Sequence, residues 1–112
     1  MTKSILESWL FEYKRNYTLL VFEMLAIMRP KDRLILQTQH KISPGKPSEY
    51  LVTPANKIIR EVSQFLHLPL LDVHGILSKY YSQNYLDDDI HQNNRMSKVI
   101  AYGILSRNYS DV

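Results

Sequence analysis

The stretch that decides the fold runs from Ile59 to Tyr81, IREVSQFLHLPLLDVHGILSKYY. Val62, Phe65 and Leu66 recur at helical spacing in its first half, and Val73, Ile76 and Leu77 repeat that spacing in its second. Between them His67-Leu68-Pro69 interrupts the pattern, because proline lacks an N–H and disfavours helical geometry in the residue before it. The spacing predicts two short amphipathic helices joined by a tight turn. His67 falls where a glycine commonly ends the first helix, and Pro69 opens the second. The second helix then exposes Leu70, Leu71, His74 and Gly75. Gly75 weakens such a helix by roughly 1 kcal/mol, tolerable where something packs closely against it.

Working outward, Thr53-Pro54 suits a helix start, with Thr53 as N-cap and Pro54 at the first helical position. That helix carries Ile58, Ile59, Val62, Phe65 and Leu66 on its buried face. Before it, Lys41 to Ser48 reads as a loop, marked by Pro44, Gly45 and Pro47. Pro30 and Asp32 favour a helix over 30–39; the rival is a small β-hairpin across 34–53, pairing Leu34–Thr38 with Glu49–Thr53. At the N-terminus Ser4 and Glu7 fit a capping box for a helix over Ile5–Arg15, with Trp9 as a core anchor. Thr18 then caps a densely apolar helix that ends at Arg29-Pro30 and is buried on most sides or meets a partner subunit. Asn93 or Asn94 caps a last helix through Arg107. The expected fold is all-α: one domain over 1–112, five or six short helices, with the paired helices at about 55–81.

Composition narrows the chemistry. The 112 residues include no cysteine, three glycines and 45% apolar residues, which is ordinary for a globular domain and leaves no disulfide or thiolate site. His40, His67, His74 and His91 lack metal-ligand spacing, and no nucleophile elbow or paired-carboxylate frame is present. The expectation is a non-enzyme with no metal and no cofactor. The most apolar run, Tyr17–Met28, is short for a membrane span and contains Glu23, so a cytoplasmic protein is expected. Asp87-Asp88-Asp89 lacks the glycine and closing glutamate of a calcium loop. Tyr80, Tyr81 and Tyr85 read as helix-end packing.

Two helices joined by a tight turn are the helix-turn-helix plan, whose second helix can enter a DNA major groove. Leu25 followed by Pro30-Lys31-Asp32-Arg33-Leu34-Ile35-Leu36, with Ile59–Tyr81, resembles the region-4 DNA-binding module of sigma factors and the small phage regulators built like it. The resemblance covers about 25–38 and 59–81, and the 41–58 connection is longer than that family uses. It implies a dimeric transcriptional regulator from a phage or other mobile element, bound to double-stranded DNA. Leu70, Leu71 and His74 would approach bases, while Lys57, Arg60, Lys79, Lys41 and Lys46 would hold phosphates.

Charge supports a different class. Residues 61–90 carry one Lys against five acidic residues, so the expected recognition half is the acidic part of the chain. Leu70 and Leu71 could touch only thymine methyls, and Asp72 would repel phosphate. The alternative is a helical adaptor or inhibitor that meets a protein through Leu70 and Leu71. Self-association through 17–28 is a third reading.

Overall fold

The computed structural model describes residues 2–39, 49–75 and 94–106. In chain order these form α1 (Lys3–Ile27), β1 (Leu36–Gln37), α2 (Glu49–Leu66), β2 (Leu70–Leu71), a helix α3 that opens at residue 73 and is described to 75, and α4 (Asn94–Leu105). The fold is mostly helical. Among the described residues four helices stand in place of five or six, and a small two-stranded sheet joins them.

The first two expected helices are one. Thr2, not Ser4, is the N-cap, its hydroxyl accepting from the Ile5 N–H at 3.3 Å. α1 then runs for 25 residues, straight through Lys14-Arg15-Asn16. Thr18 caps nothing: its hydroxyl donates to the Lys14 carbonyl at 2.7 Å, the back-bond by which threonine satisfies itself inside a helix. Val21 is buried in α1, and Leu10, Tyr13, Tyr17 and Leu25 pack half-buried beside it. Most of the remaining apolar surface of this helix faces outward.

The helix expected after Pro30 does not form. The Asp32 carboxylate accepts from the Arg29 backbone N–H at 2.9 Å and from its guanidinium at 3.2 Å, which closes a turn. The chain then extends into β1. The hairpin with 49–53 does not form either, since Glu49–Thr53 is the first part of α2 and Pro54 lies inside that helix. β1 instead pairs in parallel with β2, Leu36 opposite Leu70 and Gln37 opposite Leu71. The Leu36 N–H donates to the Pro69 carbonyl at 2.9 Å and the Thr38 N–H to the Leu71 carbonyl at 3.2 Å. Pro69 lends only its carbonyl, so its missing N–H costs the sheet nothing. A parallel pair needs a long crossover, and α2 lies within it.

α2 buries Val52, Ala55, Ile58, Ile59 and Val62. It ends as the sequence predicts. His67 sits in the left-handed region with φ 54°, the Leu68 N–H donates to the Ser63 carbonyl at 2.9 Å, and the His67 N–H reaches the Gln64 carbonyl at 3.4 Å. This is the double hydrogen bond of a Schellman ending, completed by the Ser63 hydroxyl donating to the Leu68 carbonyl at 2.7 Å. Beyond this turn the chain forms a strand where a helix was expected. Leu68, Pro69, Leu70 and Leu71 alternate half-buried and buried, which is the period of a strand. Leu71 is 1% exposed. α4 closes over it at Gly103, where an added Cβ would stand 3.1 Å from the Leu71 Cδ1.

Candidate functional site

Of the residues expected to meet DNA, Lys41, Lys46 and Lys79 lie outside the described residues, as does the helix expected beyond Gly75. Leu70 and Leu71 belong to β2 and not to an exposed helix: Leu70 is half-buried against the core, and Leu71 is wholly enclosed and offers no surface to a base edge or a partner. The physical reason is the pairing of Leu36 with Leu70: a strand turns alternate side chains inward where a helix would have turned the pair outward. Lys57 is exposed on α2. Arg60 is engaged, its guanidinium donating to the Asp72 carboxylate at 2.9 Å.

Asp72 gathers the polar centre of the fold. Its Oδ1 accepts from Arg60, from the Thr38 hydroxyl at 2.9 Å and from the Gly75 N–H at 3.1 Å, the last being the N-cap bond of α3. Thr38, fully buried, also accepts from the His74 N–H at 3.0 Å, which ties half-buried His74 to β1. A Cβ at Gly75 would stand against the Asp72 carboxylate and push it away from its hydrogen-bond partners. Nearby, fully buried Asn56 imitates a strand. Its Oδ1 accepts from the Gln39 N–H at 2.7 Å and its Nδ2 donates to the Gln39 carbonyl at 3.1 Å, extending the β1 ladder past its backbone partner.

Burial pushes the Asp72 carboxyl up, but the hydrogen bonds from Gly75, Arg60 and Thr38 outweigh it and hold the group below the ordinary aspartate range. A carboxyl depressed in the folded state contributes stability in full above about pH 4 and loses it as pH falls through the lowered value. Asp72→Asn is therefore expected to flatten that part of the acid-side loss. At pH 7 it should cost about 0.5–1 kcal/mol, since asparagine keeps the capping oxygen and only the partly exposed, solvent-screened ion pair with Arg60 is lost. Urea unfolding of both proteins at pH 7 and pH 3 checks this; an equal difference at the two pH values contradicts it.

This network ties the fold together. A concave surface lies elsewhere, between α1 and α2: a groove of about 510 Å³ lined by Lys14 and Thr18 on one side and by Glu61, Val62, Gln64, Phe65 and Leu66 on the other. Val62 and Leu66 form its apolar floor. Phe65, expected in the core, is 81% exposed. It stands seven residues after buried Ile58, and two helical turns carry it just off the enclosed arc. Lys14 and Glu61 bridge the groove at 3.3 Å with both side chains about half exposed, an ion pair weak enough to open for an incoming group. On α1, Phe11 and Phe22 share the side of Thr18 by helical spacing and are 70% and 49% exposed. Nothing in the residue pattern marked this groove, because exposure at the edge of an apolar arc is set by how far a neighbouring helix reaches.

No protein-family model matches the chain, and no curated protein or solved structure matches it either. Among the described residues no helix is long and apolar enough to cross a membrane.

Proposed function

We propose that this chain is a small helical protein-interaction module, and that it holds an apolar segment of a partner protein, most simply one amphipathic helix, in the α1–α2 groove around Phe65. The observation that carries this reading is an exposed phenylalanine beside an apolar floor in a groove whose two charges, Lys14 and Glu61, cancel each other. A polyanion gains from excess positive charge at the contact, and this groove offers none. A neutral apolar helix with a polar back gains from an apolar floor, as in other helix-in-groove recognition. The interaction function thus moves from Leu70 and Leu71 to Phe65.

The test selects helical peptides from a random library against the intact protein and titrates the best of them against wild type and Phe65→Asp. Because Phe65 is largely exposed, the variant keeps its fold by circular dichroism. Loss of at least tenfold in affinity for the variant is expected. A fluorescent DNA duplex is titrated in parallel across salt concentrations. Saturable, salt-steep DNA binding weakened by Lys57→Ala would overturn the proposal in favour of the regulator reading.

A further inference from the structure

The groove around Phe65 has two walls of opposite charge. Lys14 stands on the α1 side and Glu61 on the α2 side, and the 3.3 Å contact between them joins the walls. Among the described residues each is the other's sole charged partner. The remaining polar groups of the lining discriminate little between ligands. The Thr18 hydroxyl already donates to the Lys14 carbonyl at 2.7 Å, and Gln64 carries a neutral amide that suits donor and acceptor alike.

Given the groove as the protein-binding site, on which this rests, we infer that its occupant is an amphipathic helix with unlike charges on its two flanks. An acidic side chain meets Lys14 and a basic one meets Glu61. A helix seated on Val62 and Leu66 comes between the two walls and parts their ion pair. The occupant then strips water from both charges as well as separating them. A charge left in that state without a partner disfavours binding more than a neutral residue would.

The chain supplies little to replace the lost pair. Three and four residues from Lys14 on α1 stand Leu10, Phe11, Tyr17 and Thr18, none of them acidic, so nothing on its own helix takes the place of Glu61. Glu61 has Lys57 one turn earlier, but a lysine that precedes a glutamate is the weaker order for a helical pair. Both charges are therefore left for the occupant to satisfy, Lys14 the more completely. A helix with one acid and one base does this at no change in net charge, and it presents them as coiled coils do, on the two flanks of an apolar face. A helix with like charges on both flanks is attracted by one wall and repelled by the other. The ion pair that closes the empty groove thus also selects what opens it.

The test uses the full chain and the tightest helical peptide from the library selection, resynthesised with its apolar face unchanged. Its flanks are made Glu and Lys, Glu on both, or Lys on both. Wild type is expected to bind the mixed peptide roughly three- to tenfold more tightly than either of the others, a margin that shrinks at about 0.5 M salt. Lys14→Glu should turn the order in favour of the two-Lys peptide, and Glu61→Lys in favour of the two-Glu peptide, each with the helical spectrum retained. The peptides differ in summed flank charge, so binding in either direction along the groove gives the same order. Equal affinity of wild type for all three, each lost in Phe65→Asp, overturns the inference and leaves the groove reading standing; so does an order unchanged in both charge variants. Failure to select any peptide that Phe65→Asp weakens overturns both together.

Discussion

Leu71→Ala is expected to lower unfolding free energy by about 3 kcal/mol, enough to leave a small domain only marginally folded. The residue is 1% exposed, sits in β2 opposite Gln37, and meets Gly103 of α4. Truncation therefore removes contacts to the sheet and the last helix together and leaves a cavity that neither can collapse into freely. On an exposed recognition helix the same change would be silent, within about 0.5 kcal/mol. Urea denaturation at neutral pH decides between the two placements. A shift smaller than about 1 kcal/mol would mean that Leu71 faces solvent and that the parallel pairing of β1 with β2 is wrong.

The second large effect is at Asn56, which an apolar replacement of similar size does not rescue. Asn56→Leu is expected to cost about 2–4 kcal/mol, because the Gln39 N–H and carbonyl both lose their partner in a part-buried position. The measurement is again the unfolding midpoint, read together with amide exchange at Gln39, which should accelerate in the variant. Retention of slow exchange at Gln39 would show that another group accepts from it. Asn56 also explains how so short a sheet persists: a side-chain amide continues the ladder where the backbone of β2 has already turned away to Asp72.

The helical character of the chain and the left-handed turn at His67 were legible in the sequence, each for a local reason. A helix is written in residues three and four apart, and the turn in a proline two positions after the break. At Gly75 the sequence suggested only that something could pack closely against it; that the close neighbour is the Asp72 carboxylate was not legible. The sheet could not be read: each strand is two residues long, too short to show a period, and the partner of Leu36 is Leu70, across the whole of α2. Leu68-Pro69-Leu70-Leu71 is an unbroken apolar run, and such a run fits the end of a buried strand as well as the start of a helix. At α1 the error ran the other way. Lys14-Arg15-Asn16 and Thr18 look like a stop and a cap, but a threonine hydroxyl that bonds back to Lys14 needs no break. The expected DNA contacts rested on placing Ile59–Tyr81 as a helix pair, and the groove at Phe65 depends on the reach of α1, which no spacing within α2 encodes.

The parallel pairing has a consequence for how this chain can be divided. The amides of Leu36 and Thr38 find their acceptors at Pro69 and Leu71, so every residue between is enclosed by one hydrogen-bonded clasp. A gene fragment ending between residues 66 and 70 encodes both long helices and still lacks the Leu71 carbonyl that completes the fastening of their connection. Any recombination or domain graft that carries this unit intact must cut outside 36–71, so α2 cannot be lent to another scaffold as a free-standing helix.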